Sequence, residues 1–169
     1  MSWTYSHLLK LAEQYCHRNG GKLEPNRALG FGVHGNVFVC QRANLNVKNA
    51  LKIHERPGPY FRERNVYLRL EDLQIEEIEG HNVPQLLGYD DELRAIEMSI
   101  VVRPFVLDFG GAYLDRPPVY SVEIMEQWET DKREQFEDHW PKAATILETL
   151  RSYGIYVADV NPGNIGFSN

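Results

Sequence analysis

The strongest chemical signal in this 169-residue chain is a run of glycines followed, one strand later, by a lysine. Gly30, Phe31, Gly32, Val33, His34, Gly35, Asn36 and Val37 form a GxGxxGxV run, and Ala50-Leu51-Lys52 comes after a polar connector. Glycines let backbone amides approach phosphate oxygens with no side chain intervening, and Val37 returns the chain to an extended, half-buried path. Lys52 adds the positive charge that phosphates require, so the pairing points to nucleotide chemistry. A GxGxxG also marks dinucleotide-binding folds, but there a helix opens directly after the glycines. Here Val37-Phe38-Val39 and Ala50-Leu51-Lys52-Ile53 both favour extended chain, so the flanks predict strand, turn, strand.

Two further segments carry acidic groups at telling positions. Glu63, Val66, Tyr67 and Leu70 fall at i, i+3, i+4 and i+7 of a helix expected over residues 60–73, so Glu63 shares a stripe with three apolar side chains. A carboxylate there needs a cation, and Lys52 is the expected partner, with Glu71 the fallback for Glu63 in that pair. Asp159 and Asn164 share one loop after a helix. A carboxylate that can accept a hydroxyl proton and an amide oxygen that can hold a metal suit a division of labour on such a loop.

The remaining pattern supplies the scaffold. Residues 1–18, with Trp3, Leu8, Leu11 and Tyr15, read as an amphipathic helix ended by Gly20-Gly21. Residues 23–39 read as two strands joined by the glycine loop, and 83–89 and 96–102 as two more around the turn Asp90-Asp91-Glu92, giving a small antiparallel sheet. Pro57-Gly58-Pro59 is expected to interrupt regular structure. Residues 104–125 fit no single period and read as a connector with one hairpin. From 132 to 152, Phe136, Trp140, Ala143, Ala144, Leu147 and Leu150 recur at helical spacing, Pro141 either kinking one helix or beginning a second, and Gly154 stopping it.

The order of glycine loop, Ala-x-Lys, helical Glu, sheet, helix and D-x-x-P-x-N resembles the protein kinase family over nearly the whole chain. The resemblance implies an α+β fold, with an antiparallel five-stranded sheet plus helix in an N-terminal lobe and a truncated helical C-terminal lobe. Residues 1–169 would form one domain, 1–102 being the N-terminal lobe with its leading helix and 103–169 the hinge and truncated lobe. It implies that Gly30, Gly32 and Gly35 cover the phosphates of ATP, in a loop that also presents Phe31 and Val33. Lys52 would contact those phosphates while paired to Glu63, Val37 and Ala50 would flank the adenine, and a hinge at residues 101–104 would present Val102 to the nucleotide. Asp159 would accept or orient the proton of the attacking hydroxyl, and Asn164 would ligate Mg2+.

Val157-Ala158 stand where the family has His-Arg, and Asn161 stands where it often has lysine. Pro162-Gly163-Asn164 also resembles the loop of aminoglycoside and choline-type phosphotransferases. The family's metal-binding Asp-Phe-Gly follows the loop asparagine after another strand, whereas this sequence reaches Asn169 first. Asp108-Phe109-Gly110 has the same letters but precedes the helix, and reads as a turn. The expectation is therefore ATP binding with an incomplete Mg2+ site, and weak or lost phosphoryl transfer to a Ser/Thr-type hydroxyl of a protein substrate. One alternative is a binding-only pseudokinase regulating a protein partner. The other is a small-molecule kinase with Asp108, Asp115 and Glu123 as loose acceptor-pocket candidates.

Composition narrows the field further. At 43% hydrophobic the chain can bury a sizeable core, and with 18 basic against 24 acidic side chains and no basic run it is not suited to nucleic acid. No segment reaches transmembrane length. Cys16 and Cys40 form no CxxC unit and read as reduced thiols, which favours the cytoplasm. The six histidines make no metal-ligand spacing, and His34, at the loop tip, reads as an ordinary loop residue within reach of a phosphate.

Overall fold

The computed structural model describes residues 4–32, 34–43 and 46–168. Trp3 and Val33 lie outside them. The chain begins with α1 (Tyr5–Arg18), capped by Thr4, whose hydroxyl accepts from the His7 N–H at 3.3 Å. Leu8, Ala12, Tyr15 and Cys16 recur on one face of this helix and are buried. There follow β1 (Gly21–Gly32), β2 (Gly35–Arg42), β3 (Lys48–His54), α2 (Pro57–Asp72), β4 (Glu77–Ile78), β5 (His81–Asn82), β6 (Leu86–Asp90) and β7 (Ala95–Ser99). Beyond them lie β8 (Phe105–Val106), β9 (Ala112–Leu114), α3 (Val122–Phe136), a 3-10 turn (Glu137–His139), α4 (Trp140–Ser152), β10 (Ile155–Val157) and β11 (Ile165–Gly166).

The molecule is α+β. Its main sheet has five strands in the order β1-β2-β3-β7-β6, all antiparallel. A strand and not a helix begins at Gly35, and no neighbours in this sheet are parallel, so the dinucleotide arrangement is excluded. Because strand side chains alternate, β3 sends Leu51 and Ile53 to one face and Ala50, Lys52 and His54 to the other. The first pair packs with Leu8, Tyr15 and Ala95 in a core beneath α1, where Cys16 and Cys40 lie side by side as free thiols. The second face looks toward α2 and the larger core of Tyr60, Val66, Tyr67 and Leu70.

Two expectations fail here for local reasons. Pro57-Gly58-Pro59 does not interrupt structure but opens α2, because a proline in the first turn gives up only an N–H that has no intrahelical partner. Residues 104–125 hold β8, β9 and the start of α3, whose cap is Ser121 accepting from the Ile124 N–H at 3.3 Å. Pro141 begins a second helix, α4, instead of kinking one.

Candidate active site

The four short strands after β7 build two loops that face each other. β8 pairs antiparallel with β11, and β9 pairs antiparallel with β10. The turn between β8 and β9 is residues 107–111, and the loop between β10 and β11 is residues 158–164. The Leu107 N–H donates to the Asn164 carbonyl at 2.9 Å, tying the two together. Asp108 is thereby brought opposite the segment that carries Asp159 and Asn164.

Both loops lie across a cavity of about 990 Å3 from β3 and α2, within the size range of small-molecule sites. Ala50 is paired with Met98 at the end where β7 leaves the sheet, and Lys52 projects two residues further along the same face. Val37, Ala50 and Met98 thus line an apolar end, while Lys52, Glu63 and Asp108 line a charged one. Val37 and Ala50 both line the cavity. Val102 does not: it is 73% exposed, and its carbonyl accepts from the Asn82 side chain at 3.1 Å, while Val101 lines the cavity instead. The reversal follows from an extended connector, in which neighbouring side chains point to opposite sides.

Lys52, 4% exposed, donates to Glu63 Oε2 at 2.7 Å and to Asp108 Oδ1 at 2.8 Å. Burial alone would lower the ammonium's pKa, but the two carboxylates outweigh it and hold the group charged. Burial likewise works against the Glu63 carboxylate, yet Lys52 and a bond from His54 bring its pKa down to about 2. Glu71, the fallback partner, is exposed. His54 was not singled out by sequence reasoning. It is fully buried, and its Nε2 lies 2.7 Å from Glu63 Oε2. Its signal was available: it sits two residues beyond Lys52 on the same strand face.

Gly35 has a structural task in the sheet. It is buried in β2 opposite His54, and a Cβ there would overlap the Ile53 carbonyl, so it serves the close approach of two strands. Gly30, Phe31 and Gly32 pair along β1 with Val37, Asn36 and Gly35, which gives the hairpin that carries the glycine loop. Val33 is outside the described residues.

Asp108-Phe109-Gly110 lies in a turn, as the sequence reading expected, and Asp108 lines the cavity. Asp108 takes a φ of +66°, a left-handed conformation that aspartate tolerates better than most residues. Phe109 is buried edge-on against Tyr67 of α2, and Gly110 O accepts from Arg62 Nε at 2.9 Å. The segment is therefore anchored to α2, with its carboxylate turned into the cleft. Both of its hydrogen bonds, from Lys52 and from the Gly110 N–H at 3.4 Å, fall on Oδ1, leaving Oδ2 without a donor among the described residues. Asp115 and Glu123 are exposed instead, the former paired with Arg69.

Asp159 and Asn164 line the same cavity. Asp159 Oδ2 lies 2.9 Å from His34 Nε2, so the histidine read as an ordinary loop residue meets the candidate proton acceptor. Trp128 of α3 donates its indole N–H to the Ala158 carbonyl at 2.8 Å, steadying the loop just before Asp159. Among the described residues no group of three or more His, Cys, Asp or Glu surrounds a metal position. The Asp108 carboxylate and the Asn164 amide are among the oxygen donors on the cavity wall. Among known proteins, no family model, no curated protein and no solved structure matches this chain.

Proposed function

We propose that this protein binds ATP in the cleft and transfers its terminal phosphoryl group to a hydroxyl acceptor, as the protein kinases do whose motif order it resembles. The observation that carries the reading is the meeting of Lys52, Glu63 and Asp108 with Asp159 and Asn164 on one cavity, from segments far apart in sequence. In this reaction class catalysis is almost entirely positioning and electrostatic stabilisation, which is what such a set supplies. The apolar walls of Val37, Ala50 and Met98 suit a base. Lys52, held charged, faces the phosphates, and Asp159 accepts or orients the proton of the attacking hydroxyl.

Magnesium, when bound, neutralises charge shared between the phosphate oxygens. Asp108 Oδ2 and the Asn164 amide oxygen fit such a hard, oxygen-seeking cation. Asp108 also favours turnover over binding alone. In the resembled family the Asp-Phe-Gly comes after the catalytic loop. Here the equivalent letters come before it, and antiparallel pairing of β8 with β11 and β9 with β10 joins the two loops in exchanged order. Strand pairing needs neighbours in space and is indifferent to which loop the chain makes first.

The test is a thermal-shift series with ATP, with and without magnesium, followed by a phosphate-release and autophosphorylation assay. Magnesium-dependent protection with turnover that Asp159→Asn removes is the expected result. A folded protein that no nucleotide protects would end the proposal.

A further inference from the structure

His34 sits at the turn between β1 and β2, yet its ring is directed to the far wall of the cleft, with 16% of the side chain exposed. Its Nε2 lies 2.9 Å from Oδ2 of Asp159, a residue 125 positions away. The chain passing beside this contact is Gly110-Gly111. A Cβ on Gly110 would fall 2.7 Å from His34 Cδ2, and one on Gly111 would overlap the Asp159 carboxyl. Two consecutive glycines therefore clear the space in which the imidazole and the carboxylate meet.

The other oxygen of the same carboxylate supplies an independent observation. Asp159 Oδ1 is buried and has no hydrogen-bond donor among the described residues. The Asp159 side chain as a whole is 41% exposed, so the carboxylate meets the cleft through the side of Oδ2, the oxygen that His34 holds.

We propose that His34 is a positioning residue for Asp159. By donating Nε2–H to Oδ2 it fixes the carboxylate in the orientation that meets the acceptor hydroxyl. This rests on the phosphoryl-transfer reading above.

The experiment compares the parent chain with His34→Ala and His34→Gln, using ATP and magnesium with water as the acceptor, and measures kcat, KM and nucleotide affinity separately. His34→Ala is expected to lower kcat about 100-fold, the scale of a misplaced catalytic group, with nucleotide affinity unchanged. His34→Gln, which keeps an N–H donor of similar reach, is expected to recover most of the loss. Added to Asp159→Asn, His34→Ala should cost nothing more, because the two act as a unit. Turnover in His34→Ala equal to or above the parent would overturn the proposal and make His34 a plug, and a glutamine variant no better than alanine would overturn it too. So would a parent that binds ATP but never turns over. A parent that binds no nucleotide is the distinct failure of the reading beneath.

Discussion

Glu63 and Glu97 are both buried carboxylates at the main sheet, one on each face, and their surroundings differ in what they leave unsatisfied. Glu97, on β7, is fully buried and accepts from Arg42 through Nε at 2.9 Å and through Nη2, from Asn49 at 2.7 Å and from the Tyr15 hydroxyl at 3.0 Å. Helix α1 supplies Tyr15 and closes that face. Glu63 accepts from Lys52 and His54 on a single oxygen, and Lys52 bridges onward to Asp108 at the edge of an open cavity. Ion pairing and burial are common to both. What distinguishes the front cluster is the spare capacity beside it: Asp108 lines the cavity, and its Oδ2 lacks a donor among the described residues. A buried charge is a candidate for function when such capacity faces a space that a ligand can enter.

The largest effect should come from breaking the closed cluster. Glu97→Ala leaves the Arg42 guanidinium and the Tyr15 hydroxyl short of an acceptor, and should cost about 3–5 kcal/mol in urea unfolding, the usual penalty for removing one partner of a buried pair. ATP protection of the molecules that still fold should persist. Lys52→Met should do the reverse, abolishing ATP protection while costing less stability, since Glu63 keeps His54 and gains access to cavity water. Equal destabilisation with ATP protection intact would make the front cluster as purely structural as the back.

Next in size is the test of Asp108 against a nearby acid. Asp108→Asn should reduce magnesium-dependent turnover about 100-fold, the scale of losing one charge-stabilising group in an active site, and blunt the magnesium dependence of ATP binding. Asp115→Asn, at an exposed carboxylate paired with Arg69, should change neither. Matching losses in the two variants would remove Asp108 from the metal site.

Acid titration sharpens the comparison from another side. The Glu63 pKa is held down at about 2 from an ordinary 4.5, and that of Glu97 is also lowered, by Arg42, Asn49 and Tyr15 acting against burial. A carboxylate depressed in the folded state stabilises fully above its unfolded value, and that stabilisation is lost as pH falls toward the folded value. Stability should therefore decline from about pH 4.5 downward. In Lys52→Met the folded value of Glu63 rises, so the decline should become shallower, while the Glu97 share remains. Identical slopes in the two proteins would show that Lys52 does not hold the Glu63 charge.

The Lys52–Glu63 pair was legible in the sequence because a charged residue on an apolar helical stripe is a conflict that only a partner resolves. The main sheet was legible because β2, β3 and β7 are long enough to show a pattern. Helix α3 was not, since Phe136 is its only buried residue, so most of it carries no inward stripe. Asp108 was named only as a loose acceptor-pocket candidate, and its contact with Lys52 was not foreseen for a topological reason: β8 to β11 are two or three residues each, too short for any periodicity. His34 was missed because its partner lies 125 residues away, and nothing local announces the contact.

The smallest predicted effect concerns how helix α3 reaches the front cluster. Trp128 donates its indole N–H to the Ala158 carbonyl at 2.8 Å and packs edge-on against Trp140 of α4, 6.2 Å between ring centroids. Trp128→Phe keeps an aromatic ring at that position but removes the donor, which should cost about 1 kcal/mol of stability. The carbonyl it frees immediately precedes Asp159, so the loss of order falls on Asp159 and not on Lys52. Turnover should fall several-fold while ATP binding is unchanged, as measured by the same paired assays. A variant that loses ATP affinity instead would mean that α3 steadies the whole cleft, and the division between a nucleotide-holding sheet face and an acceptor-orienting loop would have to be redrawn.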